Sequence, residues 1–434
     1  MTTTPTTEAR TKQKPRRILI GTGFGNALEW FDWQIYATFA PFIAAVMFST
    51  QDPLSALLST LAIFAVGFVA RPLGGLLFGW IGDRMGRKFS LVLAIILASV
   101  GSLMIGLLPT FDSIGSFASL LLLVARLIQG LAHGGEMPAV QTYLSEAAPK
   151  ERRGLWSSFI YVSGTTGILS ATLLGALLTT FLSPEFMADW GWRIPFLLAA
   201  VLGLYALVMR AKLEETESFE HEKAETATEK VKESLWRQLG RNWRPLMAVI
   251  GLTVGITVSF YVWGVTAPTY ASGVLGMDQS TALWSGVVGT AIFILVLPFW
   301  GWLSDRIGRK PVFIIGVLGV AAGFFPVTAF MSDQPWTLVV AMSIQLFFMA
   351  GAMSIAPAMY AELLPTGIRT IGTALPYAFA VAIFGGTAPY LQTWMTSFSS
   401  PLLFSGYAVA LLVISAITAL IIPETRGIDL KQRR

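Results

Sequence analysis

Two carboxylates stand inside an apolar stretch near the start of the chain. Glu29 and Asp32 belong to the segment GNALEWFDWQIY, residues 25–36, which lies within an apolar run long enough to cross a membrane. A charged side chain at bilayer depth is costly, so it usually faces a polar cavity and serves transport. On a helix that advances about 100° per residue, Glu29 shares a face with Trp33 and Tyr36, and Asp32 lies at its edge. This face is expected to form a wall of a polar pathway.

Two arginines stand at comparable depth in other apolar stretches. A guanidinium can hold a carboxylate through two hydrogen bonds, so Arg126 is predicted to bind a substrate carboxylate while Glu29 or Asp32 takes up a proton. The alternative is a standing ion pair between Arg126 and an acid, which would join two helices. Arg71 precedes Pro72, where a helix can bend. It is predicted to assist proton coupling, with a structural contact or substrate binding as the alternatives.

Gln129 and His133 follow Arg126 along one helical face. Gln129 is therefore predicted to bind substrate, and His133 to bind substrate or relay protons. A hydrogen-bonded filler is the alternative role for the histidine. Glu136 lies roughly 80° from that face. It is predicted to contact a neighbouring helix, either in packing or as part of the proton path.

The second half of the chain has no charged residue at bilayer depth. Its spans carry aromatic and amide side chains instead. Of these, Tyr261, Gln345 and Tyr377 are predicted to bind substrate together with Tyr36 of the first half. The sequence thus predicts an asymmetric site, in which the first half handles charge and protons and the second half supplies hydrogen bonds and aromatic walls.

The composition is that of a membrane protein. Of 434 residues, 54% are hydrophobic and 13% are charged, against about 45–50% and 25% in soluble domains. The sequence has no cysteine, which excludes disulfides and thiol catalysis, and it has no metal-binding spacing and no GxxxxGKS/T nucleotide loop. No cofactor or metal is predicted, and the chain is not expected to be an enzyme. The energy for its work must then come from an ion gradient or from the substrate's own gradient.

Apolar runs of about 20 residues predict twelve membrane spans. They cover approximately residues 18–48, 55–82, 89–108, 116–145, 155–182, 190–211, 245–274, 280–303, 312–331, 337–361, 371–396 and 402–422. Counted over alternate connections, 27 of the 30 Lys and Arg lie on the side of both termini. Because positive residues stay on the cytoplasmic side, we predict a multi-pass protein of the cytoplasmic membrane with both termini inside. The charge is spread over seven short segments, so it indicates topology and not nucleic-acid binding.

The two halves of the sequence repeat a charged decapeptide. GWIGDRMGRK at 79–88 and GWLSDRIGRK at 301–310 each follow a predicted span and suit a tight turn. A repeat this long indicates a duplicated six-helix bundle. The predicted domains are a tail 1–17, a bundle 18–212, a linker 213–243, a bundle 244–422 and a tail 423–434. The residues predicted to act in gating are Asp83, Arg84, Arg87, Asp305, Arg306 and Arg309.

Several separated motifs give the chain a specific resemblance. Twelve spans in two halves, with GxxxDRxGRK after the second and the eighth, resemble the major facilitator superfamily. The motifs that narrow this resemblance to its metabolite:proton symporter family, which includes α-ketoglutarate permease-like proteins, are GNALEWFDWQIY (25–36), ARPLGGLLFGWIGDRMGRK (70–88), ARLIQGLAHGGE (125–136), GWRIPF (191–196), FGGTAPY (384–390) and PETRG (423–427). The resemblance implies uptake of small organic acids, betaine, proline or shikimate with protons, through a central cavity lined by the first and fourth helices.

The combined expectation is an all-α membrane protein of twelve helices in two bundles that works as a proton-coupled symporter. We predict that it imports a small carboxylate, a 2-oxo-, di- or tricarboxylic acid, by alternating access of the two bundles. We expect a monomer in the lipid bilayer. A betaine, proline or shikimate symporter is the alternative, in which Trp30, Phe31 and Trp33 could stack on a quaternary ammonium group. A drug efflux antiporter is a more distant alternative.

Overall fold

The protein is helical throughout the part that the structure describes. The computed structural model describes residues 15–49, 52–85, 87–134, 141, 144–211 and 235–430, and the regular elements in these ranges are α-, 3-10 and π-helices. Nine helical segments within them are long and apolar enough to cross a membrane, and Val92–Leu107 and Phe117–Ala132 are shorter apolar helices. With the helix that begins at Pro15, these segments match the twelve predicted spans. The predicted all-α membrane architecture is confirmed.

We number the membrane helices α1 to α12. Those of the first half are α1 (Pro15–Thr38, continued by Ala40–Met47), α2 (Pro53–Met85), α3 (Arg87–Leu107), α4 (Phe117–Ala132), α5 (Arg153–Phe181) and α6 (Ile194–Ala211). Those of the second half are α7 (Trp243–Phe260, Tyr261–Thr266 and Ala267–Gly273), α8 (Gln279–Ile307), α9 (Arg309–Phe330), α10 (Pro335–Met353 and Ala356–Leu363), α11 (Arg369–Ala380, Val381–Gly385 and Ala388–Phe398) and α12 (Pro401–Ile421). The predicted linker 213–243 is described only from residue 235, where it contains the helix Leu235–Arg241.

The two halves are built alike. In the first half α1 packs on α5, α2 on α4 and α3 on α6, and in the second half α7 packs on α11, α8 on α10 and α9 on α12. The halves meet along α5 and α8 on one side and along α2 and α11 on the other. The duplication seen in the two decapeptides is thus present in the helix packing. We call the end of the molecule at which α1 begins and α12 ends the inner end, and the opposite end the outer end.

Glycines bring α2 and α4 into backbone contact. A Cβ atom on Gly74 would lie 2.0 Å from the carbonyl oxygen of Leu131, and a Cβ atom on Gly134 would lie 2.0 Å from that of Arg71. Only glycine permits so close a crossing. The contact sets the height of Arg71 on α2 relative to the polar face of α4, which begins at Arg126.

Two helices of the second half contain a π-helical turn where they face the first half. These turns are Tyr261–Thr266 in α7, which faces α1, and Val381–Gly385 in α11, which faces α2. Such turns often mark functional sites, because they displace side chains from the regular helical face. Tyr261 opens the first turn and Tyr377 lies one helical turn before the second. Tyr261 is therefore placed by irregular backbone, whereas Tyr377 lies in the regular α-helix that precedes the second turn.

Candidate substrate and proton site

A hydrogen-bonded network surrounds Asp32 inside the first bundle. Its Oδ2 accepts from Nε2 of Gln129 at 3.0 Å, and its Oδ1 accepts from Oγ of Ser102. Gln129 also donates to Ser102 at 2.8 Å, and its Oε1 accepts from Nη1 of Arg126 at 2.8 Å. Arginine can only donate and an ionised carboxylate can only accept. The side-chain amide of Gln129 can therefore bond to both in one orientation, with its oxygen towards Arg126 and its nitrogen towards Asp32. Gln129 therefore joins a buried guanidinium to a buried carboxylate.

His133 lies between the two acids of α1. Its Nε2 is 3.1 Å from Oδ2 of Asp32, and its Nδ1 is 4.0 Å from Oε1 of Glu29. A carboxylate can only accept, so this contact is a hydrogen bond when the ring nitrogen that faces Asp32 carries the proton. All three side chains are buried, and no group of three or more acids and histidines in the described part of the chain could hold a metal ion. The arrangement suits the proton relay predicted as one role of His133.

Arg126 is fully buried and stacks on aromatic rings. Its guanidinium carbon lies 4.0 Å from the centre of the Trp33 ring and 4.2 Å from that of Tyr36, whose hydroxyl donates to the carbonyl of Thr60 at 3.1 Å. Among the described residues, its Nε and Nη2 have no hydrogen-bond partner, and the ion pair considered as an alternative is not formed. A buried donor without a partner costs about 1–3 kcal/mol. The guanidinium is therefore one that an anion would stabilise.

A cavity of about 440 Å³, which we call the central cavity, lies between the two halves at the height of Glu29. Arg71 supplies the guanidinium in its wall, whereas Arg126 is separated from the cavity by Trp33. The guanidinium carbon of Arg71 lies 3.9 Å from the centre of the Trp33 ring and 4.4 Å from that of Phe68. The ring of Trp33 is thus in contact with both guanidiniums. The structure brings Arg71, and not Arg126, to the place predicted for the substrate carboxylate.

The second half contributes aromatic side chains to the central cavity. Tyr261 and Tyr377 line it together with Phe260. Gln34 of α1 also lines it and donates across the interface to the carbonyl of Val265 at 3.0 Å. The charged side chains of the wall, Glu29 and Arg71, belong to the first half, whereas its aromatic rings come from both halves.

Gln345 lies away from the central cavity. It is fully buried inside the second bundle, and a Cβ atom on Gly323 of α9 would lie 3.1 Å from its Nε2. Within the described chain neither of its amide atoms has a hydrogen-bond partner. The structure does not bring it to the other predicted substrate residues, because this face of α10 packs against α9 instead of the first half.

A second cavity, of about 540 Å³, lies inside the first bundle, and we call it the bundle cavity. It is bounded by α1, α3, α4 and α6, with Asp32, Ser102 and His133 at its polar end. Asp32 lines this cavity and not the central one, whereas Glu29 lines both. The two acids of α1 therefore face different spaces.

Ion pairs join the two halves at the inner end. Nη1 of Arg153 on α5 donates to Glu362 on α10 at 2.9 Å, and Nη1 of Arg369 on α11 donates to Glu146 at 2.7 Å. In each pair the glutamate comes from one half and the arginine from the other. The Glu and Arg that recur in both halves therefore pair across the interface. The role of these residues was not predicted. The signal that could have shown it is their recurrence at matching places in the two halves of the sequence.

Asp305 of the second decapeptide caps α5 across the same interface. Its carboxylate oxygens accept from the backbone N–H groups of Gly154 and Leu155, each at 2.9 Å. A carboxylate is stabilised at a helix N-terminus. Nη1 of Arg309 donates to Asp305 at 2.7 Å, and its Nε lies 3.5 Å from Glu362. We call the residues that join the halves here the inner gate: Glu146, Arg153, Asp305, Arg309, Glu362 and Arg369.

The other residues predicted for gating lie outside this gate or outside the described residues. Arg84 is exposed, with its guanidinium carbon 4.6 Å from the centre of the Trp80 ring. Arg306 repeats this contact on Trp302, at 4.1 Å. The side chains of Asp83 and Arg87, and the whole of Glu136, lie outside the described residues.

The segment that follows α12 is tied to the inner gate through Glu424. Its carboxylate accepts from the backbone N–H groups of Arg309 at 2.9 Å and Lys310 at 3.1 Å. Partial burial acts to raise the pKa of Glu424, but these N–H groups and those of Arg426 and Thr425 hold the pKa below its ordinary value of 4.5. The carboxylate is therefore ionised at neutral pH and caps the start of α9.

Uncharged contacts join the halves towards the outer end. Oγ1 of Thr269 on α7 donates to the carbonyl of Ala37 at 2.8 Å, and the hydroxyls of Thr180 and Ser280 are 2.8 Å apart. With the inner gate also formed, contacts join the two halves at both ends of their interface in this structure.

Comparison with known proteins places this architecture. The sequence profile described as "Sugar (and other) transporter" matches residues 19–433. The chain belongs to this transporter family. The resemblance to the major facilitator superfamily is confirmed, and the protein is a multi-pass membrane transporter and not an enzyme.

Similar transporters differ in the substrates for which they are named. The α-ketoglutarate permease of Escherichia coli (strain K12) is 36% identical over 415 residues, which cover 94% of each chain. A putative proline/betaine transporter of Staphylococcus aureus (strain COL) is 36% identical over 410 residues, covering 93% of this chain and 87% of the relative. A citrate-proton symporter of Klebsiella pneumoniae is 32% identical over 398 residues, covering 91% and 88%.

The fold of this transporter is also that of solved structures. The crystal structure of a D-xylose-proton symporter matches it with a TM-score of 0.75 at 21% identity, over 96% of this chain and 99% of that chain. At this identity the likeness concerns the fold alone, which is the twelve-helix fold of the major facilitator superfamily.

Proposed function

We propose that this transporter imports a small carboxylate together with protons, by alternating access of its two halves. The observation that carries the proposal is the link from Arg126 through Gln129 to Asp32, which connects an anion-binding group to a titratable one. Relatives named for α-ketoglutarate and for citrate support a carboxylate substrate. The excess of Lys and Arg at the inner end supports a cytoplasmic inner end in the cell membrane.

The guanidiniums of Arg71 and Arg126, which both stack on Trp33, suit a substrate with more than one carboxylate. Arg71 faces the central cavity, so a substrate carboxylate would pair with it first, while the hydroxyls of Tyr261 and Tyr377 donate from the second half. Arg126 lies on the same ring of Trp33 and would take a second carboxylate once that ring moves.

Protonation of Asp32 would couple the proton to the substrate. The ionised carboxylate accepts hydrogen bonds from Ser102 and Gln129 and faces His133. A protonated carboxyl group donates through one oxygen, so it cannot keep all of these donors. When Gln129 is released, the hold on Arg126 loosens, and the guanidinium becomes available to an anion. Proton binding and anion binding then favour each other, as linkage requires.

A proline or betaine symporter is the second candidate, because the central cavity is lined by aromatic rings. Trp30 and Phe260 line it beside Glu29, and their ring centres are 5.4 Å apart. A zwitterion could place its carboxylate on Arg71 and its cationic group against these rings. A relative named as a putative proline/betaine transporter is as similar as the permease. The carboxylic acid is favoured because two guanidiniums stack on Trp33, and a substrate with more than one carboxylate could use both.

The test is uptake of a panel of radiolabelled metabolites into vesicles under an imposed pH gradient. The panel contains 2-oxo-, di- and tricarboxylic acids, betaine, proline, shikimate and a lipophilic drug. We expect accumulation of one of the acids, driven by the gradient. Arg126→Ala should abolish this uptake without loss of membrane insertion, whereas Arg237→Ala in the exposed linker helix should leave it unchanged. Full uptake of the natural substrate by Arg126→Ala would end the assignment.

A further inference from the structure

The bundle cavity extends from Asp32 towards the inner end. Its lining residues nearest that end are Gly25 of α1, Ile95 of α3 and Ala206 of α6. Each of them lies seven residues to the inner side of a lining residue at the level of the acid, which on a helix is about 10 Å. The cavity therefore runs along the first bundle for about two helical turns, parallel to the interface between the halves.

Small side chains on α3 and α6 leave this space open. Ala199, Gly203 and Ala206 recur along one face of α6, and Ala98 and Ser99 oppose them on α3. A Cβ atom on Gly203 would lie 2.1 Å from Oγ of Ser99, so the two helices are in close contact beside the cavity. Ser99 and Ser102 add hydroxyl groups to one wall. A space with polar groups at one end and this volume can hold water.

The inner part of the bundle cavity is less buried than the acid. Asp32 is 8% exposed, whereas Gly25, Ile95 and Ala206 are only half-buried. The ion pairs of the inner gate are formed in the same structure. The bundle cavity is thus a space that extends from Asp32 towards the inner side without crossing the inner gate.

We propose that protons leave Asp32 to the inner side through the bundle cavity, by a path separate from the path of the substrate. This inference rests on the proposed proton coupling. The outer part of the path is the relay from Glu29, which also lines the central cavity, through His133 to Asp32. Substrate leaves later and elsewhere, when the inner gate opens between the halves.

The groups that face Asp32 come from several helices. Glu29 lies on the same helix as Asp32. His133 faces Asp32 from α4, and Arg126 of α4 is connected to it through Gln129. Arg71 of α2 reaches the same cluster across Trp33. Within the described lining of the cavity, α3 and α6 contribute hydroxyl, glycine and apolar side chains and no titratable group. Among the residues that the structure describes, no side chain extends the relay from Asp32 towards the inner side, so we expect water in the cavity to carry the proton.

The first experiment asks whether water enters the bundle cavity from the inner side. The sequence contains no cysteine, so a single introduced cysteine reports alone. Ser99 lines the cavity, so Ser99→Cys is the test variant. Val100→Cys is the matched control, because Val100 is 40% exposed on the surface of the bundle and does not line the cavity. We expect a charged, membrane-impermeant maleimide to label Ser99→Cys from the inner face in inverted vesicles and not from the outer face. The control should react only with a membrane-permeant maleimide.

The second experiment fills the cavity. Ala206→Phe places a ring in its inner part, and Leu204→Phe is the control, because Leu204 is 58% exposed. We expect Ala206→Phe to lose proton-driven accumulation but to keep exchange of labelled for unlabelled substrate, since exchange can proceed without proton release. Leu204→Phe should accumulate substrate as the native protein does.

Three results would overturn the inference. The first is that the inner-face reagent does not label Ser99→Cys. The second is that Ser99→Cys is labelled only under the conditions that label Val100→Cys. The third is that Ala206→Phe accumulates substrate as the native protein does. If Ala206→Phe lost exchange as well, the labelling of Ser99→Cys would decide alone. A native protein that moves no protons with substrate would instead contradict the proposed function, and that result is distinct from each of these.

Discussion

At the scale of single residues, Gln129 determines how Arg126 and Asp32 affect each other. Its amide accepts from the guanidinium and donates to the carboxylate, at 2.8 and 3.0 Å. A direct ion pair would hold the two charges together, and removing one partner of a buried pair costs about 3–5 kcal/mol. The intervening amide instead connects the two groups through hydrogen bonds that can rearrange when Asp32 is protonated. We regard this as the feature that lets a proton change the state of an anion site.

Gln129→Leu should uncouple the two groups. The substitution removes the hydrogen-bond partner of Arg126 and one donor to Asp32, so we expect a loss of stability of about 1–3 kcal/mol and the loss of proton-driven accumulation. The measurements are thermal unfolding in detergent and uptake in vesicles. Gln345→Leu is the matched control, because Gln345 is also fully buried and, within the described chain, its amide has no partner. A loss in the control as large as that in Gln129→Leu would contradict the account.

The residues of the site were predictable where they share one helix. The positions of Arg126, Gln129 and His133 on a common face follow from helical periodicity alone. Ser102 could not be singled out, because a lone serine on another helix becomes a partner of Asp32 only through packing. Periodicity also could not show that Arg71 faces the central cavity, since the rotation of each helix depends on its contacts with the others.

At the scale of helices, close crossings set which surfaces meet. The crossing of α5 and α8 holds the inner gate together, and it depends on glycine. A Cβ atom on Gly154 would lie 2.6 Å from the carbonyl oxygen of Gly301 and 2.4 Å from Nη1 of Arg309. The chain therefore has no room for a side chain where the two halves touch.

Gly154→Ala should open the inner gate. Overpacking of this kind costs about 1–3 kcal/mol, and each 1.4 kcal/mol shifts the closed and open populations about tenfold. The reporter is Thr257→Cys, which lines a small cavity between α1, α5 and α7 and should become reactive from the inner face. Gly79→Ala is the control, because its Cβ would meet nothing within 4 Å. Unchanged reactivity in Gly154→Ala would show that the crossing does not hold the gate.

Helix existence was predictable, and helix irregularity was not. Long apolar runs located the spans because hydrocarbon excludes unsatisfied backbone groups. The π-helical turns of α7, which includes Tyr261, and of α11, which follows Tyr377, leave no comparable pattern in the sequence, since they depend on contacts between the two helices. One such contact is that of Gly385, whose Cβ would lie 2.5 Å from Oγ1 of Thr257. The same limit explains Gln345, which was assigned to the site by residue type alone.

At the scale of the whole molecule, the two ends of the interface differ in kind. The inner gate is made of ion pairs, among them the buried pair of Arg153 with Glu362 at 2.9 Å. The contacts towards the outer end are neutral, such as that of Thr269 with the carbonyl of Ala37. Among the described contacts, opening the inner end therefore requires charged groups to separate, whereas opening the outer end breaks neutral hydrogen bonds. We expect this asymmetry to favour the outward-facing state in the absence of substrate.

The segment after α12 should make stability depend on pH. The pKa of Glu424 is lowered in the folded protein, so its stabilising effect is complete above the ordinary value of 4.5 and is lost as the pH falls through the lower folded value. We expect Glu424→Gln to unfold at a lower temperature than the native protein at pH 7, and the difference to vanish on acidification. Thermal unfolding of both proteins across the acid range measures it. A difference that persists unchanged in acid would show that Glu424 acts through something other than its charge.

The central claim is that a proton bound in the Asp32 network accompanies the carboxylate. The most direct measurement is the change in external pH when the substrate found by the uptake panel is added to proteoliposomes. For the native protein the account predicts that the medium becomes more alkaline, because protons enter with the substrate. For Asp32→Asn it predicts no pH change, while labelled substrate still exchanges across the membrane. Alkalinisation by Asp32→Asn as large as that by the native protein would contradict the account.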